Sequence, residues 1–357
     1  MSPSREIDQE EEACLDATVF SLSHVFPLVL RTAVELNLFE IIAKAGHGAH
    51  VSASEIASQL PTTNPDAPSV LDRILRLFAT HSLLSYSSRT LDDGRIEKLY
   101  GLTPASKFFI GTVEEGNFSP LYTLACHRVN LEVWLHMKDL ILEGGNLFKK
   151  VHGMSLYEYT NKDPEFNTIF NQAMAGNSTL IMNGILAIYK GFEGLTSLVD
   201  VGGGTGRTLN MIISKYPSIR GINYDLPHVI QTAPPYPGLQ HVGGNMLTSI
   251  PKGEAIMIKD TFHNWSDENV VKILKNIYEV LPNNGKLIVI NAVLPEEPET
   301  SKASQNVSAF DNMMLTIFSA KERTTREFEA LIRAAGFINF KVACVGYGIW
   351  AVMESYK

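Results

Sequence analysis

A glycine-rich segment at residues 200–206 is the part of the chain whose composition most clearly points to ligand binding. It reads Asp-Val-Gly-Gly-Gly-Thr-Gly and stands between a short apolar run and a helical pattern that begins at Thr208. Glycine lets the backbone approach a ligand closely, and a helix N-terminus favours negative groups. Asp225 ends the next apolar run, where a carboxylate can accept hydrogen bonds from ribose hydroxyls. The spacing predicts a site for a nucleoside cofactor, with phosphate optional.

The glycine spacing argues against a nicotinamide dinucleotide as that cofactor. The dinucleotide fingerprint needs a third glycine at the position of Arg207. A nicotinamide-dependent oxidoreductase would use the same kind of sheet, and it is an alternative that the spacing disfavours. A tight turn that binds no ligand is the other alternative, because a glycine loop alone is a weak signal.

Alternating strand and helix patterns after Gly191 supply the elements that would position the loop. Strands are predicted at residues 197–201, 221–225, 255–259, 286–291 and 348–353, and helices at 208–216, 267–281 and 325–335. Short apolar strands that alternate with amphipathic helices are typical of a doubly wound parallel sheet. The predicted fold class is therefore α/β, with a Rossmann-like sheet domain.

The first part of the chain has a different pattern. Apolar residues recur at helical spacing over residues 12–45, with Leu30, Ala33 and Leu36 on one side of the predicted helix. Residues 52–82 add two shorter helical patterns, and two alternating runs on either side of residues 92–94 predict a β-hairpin. This order of helices and hairpin is that of a winged helix. Residues 117–190 are again predicted to be helical.

Composition and charge restrict the classes of partner. The 357 residues are 45% hydrophobic and 19% charged, as in ordinary globular proteins, and the formal net charge is −8. A mildly acidic chain lacks the positive field that phosphate backbones require, and the predicted recognition helix offers only Arg73 and Arg76. We therefore expect no nucleic-acid partner.

The N-terminal residues and the cysteines bear on cellular location. The first residues are polar and acidic, whereas an export signal has a basic end followed by an apolar stretch. Apolar runs are far shorter than the roughly 20 residues that span a bilayer, so no membrane partner is expected. Cys14, Cys126 and Cys344 are odd in number and far apart, which favours a reducing compartment. We expect a cytoplasmic protein.

Several motifs in a fixed order resemble a known family. Residues 198–206 read Leu-Val-Asp-Val-Gly-Gly-Gly-Thr-Gly, and they are followed by Gly-Ile-Asn-Tyr-Asp-Leu-Pro-His-Val-Ile at 221–230, His-Val-Gly-Gly-Asn-Met at 241–246, Phe-His-Asn-Trp-Ser-Asp at 262–267 and Lys-Glu-Arg-Thr at 321–324. The chain resembles the plant caffeic-acid-type O-methyltransferases in these motifs, over residues 15–355. The resemblance implies S-adenosylmethionine as cofactor, a small aromatic acceptor from plant secondary metabolism, a homodimer and no metal.

The same resemblance implies a division into domains. Residues 1–115 would form a helical, winged-helix dimerisation domain. Residues 116–357 would form a Rossmann-like methyltransferase domain, of which residues 116–190 are a helical acceptor-pocket segment.

The resemblance also implies roles for single residues. His263 matches the general base of the family, and Glu322 and Asn291 stand where the family has acids that support the base. The cofactor-binding positions are Gly202, Gly204, Asp225, Asn245, Met246 and Lys259, with Asp225 on the ribose and Met246 on the adenine. The acceptor-pocket positions are Leu124, Asn130, Phe166, Phe170, Met174, Asn177, Trp265, Met313 and Met314.

The chemistry needs a base because a phenol must lose its proton. A phenol has a pKa near 10 and imidazole near 6.5, a difference of about 5 kcal/mol, so acids that stabilise the imidazolium help. This chain departs from the family there, with Asn264 after the histidine instead of Asp and Asn291 instead of Glu. Thr160 and Asn177 stand where caffeate-type enzymes have histidine, which argues against caffeate itself as acceptor.

With these departures, three interpretations of the function are open. Methylation of a phenolic oxygen is the one that the family favours. Methylation of an aromatic amine is the alternative, because a nitrogen lone pair can attack before its proton leaves. The anthranilate N-methyltransferase branch of the family is similar at Asn264 and Asn291. A non-catalytic paralogue that acts as a dimerisation partner is a remote alternative.

Overall fold

The structure, a computed structural model, describes residues 8–357. The start of the predicted dimerisation domain and most of the acidic N-terminal stretch lie outside the described residues. The helices are α1 (Gln9–Ser21), α2 (Val25–Glu35), α3 (Leu38–Lys44), α4 (Ala53–Ala57), α5 (Ala67–Thr80), α6 (Ser119–Ala125), α7 (Arg128–Trp134), α8 (Met137–Glu143), α9 (Leu147–His152), α10 (Leu156–Lys162), α11 (Pro164–Ile188), α12 (Arg207–Lys215), α13 (Pro227–Ile230), α14 (Asp267–Val280), α15 (Lys302–Phe318) and α16 (Thr325–Ala334).

The strands and two 3-10 turns complete the secondary structure. The strands are β1 (His50–Ser52), β2 (Leu84–Thr90), β3 (Ile96–Leu102), β4 (Ser197–Val201), β5 (Arg220–Asp225), β6 (Leu239–Gly243), β7 (Ala255–Lys259), β8 (Lys286–Leu294), β9 (Arg323–Thr324), β10 (Ile338–Gly346) and β11 (Trp350–Tyr356), and the turns are Ser106–Phe109 and Phe262–Asn264.

The described chain forms two compact units. The first runs to Arg128 and includes Thr168–Gly176, and the second comprises Val129–Asn167 and Asn177–Lys357. The predicted domain boundary between residues 115 and 116 stays a prediction.

The first unit contains α1 to α5 and a sheet of three antiparallel strands in the order β1-β3-β2. The predicted hairpin is confirmed as β2 and β3. The single helix predicted over residues 12–45 is wrong, because the chain breaks into α1, α2 and α3, with Asn37 at φ 53° between the last two. Leu36, predicted to lie on one side of the helix with Leu30 and Ala33, follows the last residue of α2 and is 39% exposed, whereas Leu30 and Ala33 are buried. The winged-helix assignment stays a prediction.

The second unit is built on a sheet in the order β10-β11-β8-β7-β4-β5-β6. The strands from β8 to β6 are parallel, and β11 and β10 extend the sheet in antiparallel pairing. The predicted α/β class with a doubly wound sheet is confirmed. The edge strands β6 and β10 were not predicted. β6 has only two large apolar residues, Leu239 and Val242, whereas the apolar residues of β10 are a strand signal that was overlooked. Helix α15 was not predicted either.

Alternate residues of the central strands enter two cores. Leu198 and Met257 belong to one core with residues of α12, and Val199 and Ile258 belong to the other with residues of α14 and α16. Helices therefore cover both faces, and the loops after β4, β5, β7 and β8 meet at one edge of the sheet.

No single helix among residues 8–357 is long and apolar enough to cross a membrane. Helices α1 and α2, which are bent by 48° relative to each other, would together be long and apolar enough, by length and composition only.

Candidate active site

The glycine loop connects β4 to α12 and depends on left-handed backbone. Its φ values are 74° at Gly202, 58° at Gly204 and 84° at Gly206. Residues with a Cβ are strained in this region. Apart from the chain neighbours of Gly204, no atom of the described residues lies within 4 Å of the position that its Cβ would take. The loop can therefore bring its backbone against a ligand with no side chain between them.

Asp225 ends β5 and holds the glycine loop by its carboxylate. Its Oδ2 accepts a 2.8 Å hydrogen bond from the N–H of Gly204, and its Oδ1 accepts a 2.7 Å hydrogen bond from the N–H of Leu226. A carboxylate has about four lone-pair sites, so both oxygens can accept more. The two hydrogen bonds thus fix the orientation of the Asp225 carboxylate, and its remaining lone pairs can accept hydrogen bonds from two ribose hydroxyl groups.

Two buried polar side chains behind the loop were missed by the sequence analysis. Asp200 and Asn223 are 1% and 0% exposed, and a Cβ on Gly203 would lie 2.7 Å from Asp200 Oδ2 and collide with Asn223 Oδ1. Burial raises the pKa of Asp200 to about 7, an effect that Lys259 opposes and Asp225 reinforces. The sequence contained a signal for Asp200, since it is a charged residue between the apolar residues Val199 and Val201 of β4.

The remaining predicted cofactor residues differ in how they meet the loop. Met246 Cε lies 3.4 Å from the position that a Cβ on Gly202 would take, so Met246 lies beside the loop. Asn245 Oδ1 accepts a 2.9 Å hydrogen bond from the N–H of Leu247 and closes a turn. The Lys259 ammonium is buried and pairs with the carboxylate of Asp260. The polar ends of Asn245 and Lys259 thus already have partners within the chain.

His263 lies on the 3-10 turn after β7, and its ring contacts a buried carboxylate. His263 Nδ1 is 2.7 Å from Glu322 Oε1, and Asn291 Nδ2 donates a 2.7 Å hydrogen bond to Glu322 Oε2. All three side chains are buried. A ring nitrogen that faces a carboxylate carries the proton, which leaves Nε2 as the acceptor. The structure brings the three predicted catalytic residues together.

The surroundings of Glu322 act on its charge in both directions. Burial raises the pKa of Glu322, the contact with His263 lowers it, and the charges of Asp260 and Asp311 raise it again, with a net rise. Asp311 Oδ1 also accepts a 2.8 Å hydrogen bond from the N–H of Glu322. Within residues 8–357, Oδ1 of Asn291 has no hydrogen-bond partner. The amide therefore serves Glu322 as a donor, which the sequence analysis had not foreseen.

Thr261 connects the two halves of the site. Its Oγ1 donates a 2.9 Å hydrogen bond to the carbonyl of Lys259 and lies 2.8 Å from the position that a Cβ on Gly202 would take. His263 follows two residues later. The glycine loop and the histidine turn therefore lie side by side at the same edge of the sheet.

The predicted acceptor-pocket residues are divided between the two compact units. The second unit contains Asn130, Phe166, Asn177, Trp265, Met313 and Met314, and the first contains Leu124, Phe170 and Met174. Phe310, whose ring lies 6.3 Å from that of His263, was not among the predicted pocket residues. Phe310 belongs to α15, where Val307, Phe310, Met314 and Ile317 recur at the helical spacing that would have predicted the helix. The pocket assignments stay predictions.

Two sequence profiles match most of the chain. The profile described as an O-methyltransferase dimerisation domain matches residues 19–112, and the profile described as an O-methyltransferase domain matches residues 134–338.

Curated relatives match nearly the full length. Caffeic acid 3-O-methyltransferase of Prunus dulcis is 53% identical over 353 residues, which are 99% of this chain and 96% of the relative. O-methyltransferase 13 of Lophophora williamsii is 53% identical over 349 residues, which are 98% of this chain and 96% of the relative.

Solved structures share the fold at lower identity. CalO1, a methyltransferase in calicheamicin biosynthesis, in its SAH-bound form has a TM-score of 0.82 at 23% identity, with 98% of this chain and 99% of that chain covered. Human N-acetylserotonin methyltransferase in complex with SAM has a TM-score of 0.78 at 19% identity, with 100% and 99% covered. At these identities the likeness concerns the fold alone.

The profiles and the curated relatives together confirm the predicted family resemblance and enzyme class. From the near full-length relatives and the matches to both domains, we conclude that this chain belongs to the O-methyltransferase family.

Proposed function

We propose that the protein transfers a methyl group from S-adenosylmethionine to a phenolic hydroxyl of a small aromatic plant metabolite, with His263 as general base. The observation that carries the proposal is the buried contact of His263 Nδ1 with Glu322, beside the glycine loop. S-adenosylmethionine supplies an electrophilic methyl group when it is bound. The names of the relatives support a phenolic acceptor and oxygen as the methylated atom, so the amine alternative is not favoured.

The glycine loop and Asp225 hold the cofactor in this proposal. The backbone at Gly202 and Gly204 packs against the cofactor, and Asp225 accepts hydrogen bonds from the ribose hydroxyls. The open side of Gly204 and the free lone pairs of Asp225 support this fit. Met246 covers the adenine. Asn245 and Lys259 complete the binding site through the turn and the strand end that they stabilise.

The base site removes one proton from the acceptor. His263 Nε2 accepts the phenol proton, and the carboxylate of Glu322 stabilises the imidazolium that forms at Nδ1. Asn291 orients that carboxylate by donating to its second oxygen. Burial excludes water from both groups, which strengthens their interaction and protects the transfer from side reactions.

The acceptor pocket of the second unit is proposed to be lined by the predicted pocket residues that this unit contains, which are Asn130, Phe166, Asn177, Trp265, Met313 and Met314. In-line displacement requires that the pocket align the acceptor oxygen with the methyl group. Apolar and aromatic walls, together with the amides of Asn130 and Asn177, suit a flat aromatic ring that carries a few polar groups.

We also infer a homodimer that functions in the cytoplasm. The match to a dimerisation domain and the exposed surface of α1 support the homodimer, and the three free, widely spaced cysteines support a reducing compartment. No residue of α1 is buried, and Leu15, Val19 and Phe20 are 54%, 63% and 74% exposed. A second copy would cover this apolar surface. Sedimentation is expected to give a species of twice the chain mass of 39.5 kDa, and a single-chain species at micromolar concentration would contradict it.

The variant His263→Ala tests the proposed function. With labelled S-adenosylmethionine and a panel of phenols, we expect kcat to fall by about two to four orders of magnitude. Calorimetry should give an unchanged cofactor Kd, because the glycine loop is intact. His136→Ala is the control, since that histidine pairs with Asp139 on the surface. Wild-type turnover in His263→Ala would exclude His263 as the base.

A further inference from the structure

The buried arginine of the Lys-Glu-Arg-Thr motif has no role in the proposed function. Arg323 is 0% exposed and is the largest fully buried side chain among residues 8–357. A guanidinium stays charged in proteins, and a buried charge is costly unless it is paired and hydrogen-bonded. The partners that compensate this cost indicate what the arginine does.

The guanidinium of Arg323 contacts three points of the segment that carries His263. Nη1 donates a 2.8 Å hydrogen bond to the carbonyl of Phe262, and Nη2 donates a 2.8 Å hydrogen bond to the carbonyl of Trp265. Nε and Nη2 donate to Oδ1 of Asp267 at 3.0 and 2.7 Å. These three points enclose the 3-10 turn on both sides of the histidine.

The residues before Arg323 hold the same turn by other atoms. The N–H of Lys321 donates a 3.3 Å hydrogen bond to the carbonyl of His263, and Glu322 contacts the histidine ring. Arg323 itself lies in β9, paired with Val293 of β8. The side chain of Arg323 therefore connects the histidine turn to a strand of the central sheet.

We propose that Arg323 is a positioning residue for methyl transfer, which fixes the turn so that the His263 ring meets Glu322 and presents Nε2 to the acceptor. The inference rests on the proposed function of His263 as base. Arg323 acts through the carbonyls that flank the histidine, and it does not touch the reacting atoms. Lysine would keep the charge but has no planar fork that reaches two carbonyls and a carboxylate at once.

The experiment compares Arg323→Lys with wild type on two acceptors that share one ring system. One acceptor is a phenol that is un-ionised at the assay pH, and the other carries a nitro group and is already a phenolate. We expect kcat to fall roughly 10- to 100-fold on the un-ionised phenol, because base geometry limits that reaction. On the phenolate the fall should be less than about threefold, since no proton has to be removed.

Two further measurements and a control variant separate positioning from general damage. Cofactor Kd and melting temperature of Arg323→Lys are recorded in parallel, and the cofactor Kd is expected to stay unchanged. Arg333→Lys is the matched control, because its ion pair with Glu329 is exposed. An equal loss of kcat on both acceptors, or no loss on either, overturns the positioning role.

Asp267→Ala decides the question if Arg323→Lys does not fold. The Asp267 side chain is 54% exposed, so its removal opens no buried cavity. It takes away the ionic partner of Arg323, whose guanidinium keeps the carbonyls of Phe262 and Trp265 as acceptors. We expect the same selectivity for the un-ionised phenol at a smaller scale, roughly 3- to 10-fold. Loss without that selectivity, or unchanged kcat on both acceptors, overturns the positioning role.

His263→Ala in the same assay distinguishes the two failures. If it does not discriminate between the acceptors, the proposed function fails and the inference fails with it. If it discriminates and Arg323→Lys does not, only the role of Arg323 fails.

Discussion

The glycine loop and the base site lie at the same edge of the sheet, yet they are built from different parts of the chain. In the glycine loop, backbone groups meet one carboxylate, and Gly204 and Asp225 are 21 positions apart. In the base site, three side chains form one network, and His263 and Glu322 are 59 positions apart. A site made of backbone depends on space and conformation. A site made of side chains depends on the identity of single atoms.

This difference predicts separate effects for substitutions in the two regions. Changes in the base site should lower kcat and leave cofactor affinity unchanged. Changes in the glycine loop should act on stability and cofactor affinity, and they should reach kcat only through them.

Glu322→Gln is expected to have the largest effect. An amide carries no charge to stabilise the imidazolium, and its N–H₂ group would face either His263 Nδ1 or the amide of Asn291, both of which donate. We expect kcat on phenols to fall roughly 10²- to 10³-fold with cofactor Kd unchanged. Steady-state rates and calorimetry measure the two quantities, and Glu329→Gln serves as the surface control. A large rise in cofactor Kd would end the separation between the two regions.

Asp200→Asn is expected to change the pH dependence of stability. Because the pKa of Asp200 rises to about 7 on folding, the folded state holds this proton more tightly than the unfolded chain. The contribution of Asp200 is fully present below pH about 4 and is lost as the pH rises to about 7. As the pH rises, the free energy of unfolding of the variant should therefore increase relative to that of the wild type, by roughly 1.4 kcal/mol per pH unit across much of that interval.

Denaturant unfolding of both proteins at several pH values measures this gain. Asp139→Asn is the control, because the pKa of the exposed Asp139 is lowered by its contacts with Lys150 and His136. A constant difference between Asp200→Asn and wild type from pH 4 to 8 would show that Asp200 is ionised when folded.

Two glycine substitutions test whether space or conformation limits the loop. In Gly203→Ala the new Cβ collides with Asn223 and lies 2.7 Å from Asp200, which should lower the free energy of unfolding by about 1–3 kcal/mol. In Gly204→Ala the Cβ meets no described atom within 4 Å beyond its chain neighbours, so only the strain of its φ of 58° remains, about 1 kcal/mol. Unfolding of the cofactor-free proteins should rank them in this order, and the reverse order would show that conformation dominates.

The same difference explains how much the sequence could predict. Strands β4, β5, β7 and β8 and the glycine loop were predicted because apolar runs, glycines and turn residues act locally. The role of Asn291 as a donor to Glu322 was not predicted, because it depends on side chains that only the folded sheet brings together. Arg323 gave no signal of burial, since arginine is usually exposed.

Edge strands and breaks between consecutive helices were the other features of the fold that were not predicted from the sequence. In β10, Ile338, Phe340 and Val342 alternate with Asn339 and Lys341, so the strand pattern was present in the sequence, although most of its residues are not buried. The division of residues 12–45 into three helices follows from the positive φ of Asn37 and the turn at residues 22–24, which helical periodicity does not report.

The smallest effect is expected for Asn264→Asp, the change that would restore the acid of the family after the base. Asn264 and Asn291 were predicted to act alike, but Asn264 is exposed, whereas Asn291 is 1% exposed and donates a hydrogen bond to Glu322. Water and salt screen a charge at an exposed position, so kcat on phenols should change by less than about twofold, and the change should vanish at high salt.

Asn291→Asp is the matched comparison. It replaces a donor by a carboxylate that shares a buried site with Glu322, and two like charges there raise the pKa of one of them. Its kcat should fall by roughly tenfold or more at every salt concentration. A tenfold gain in Asn264→Asp would mean that the exposed position acts directly on His263, and the base site would then extend to the surface of the turn.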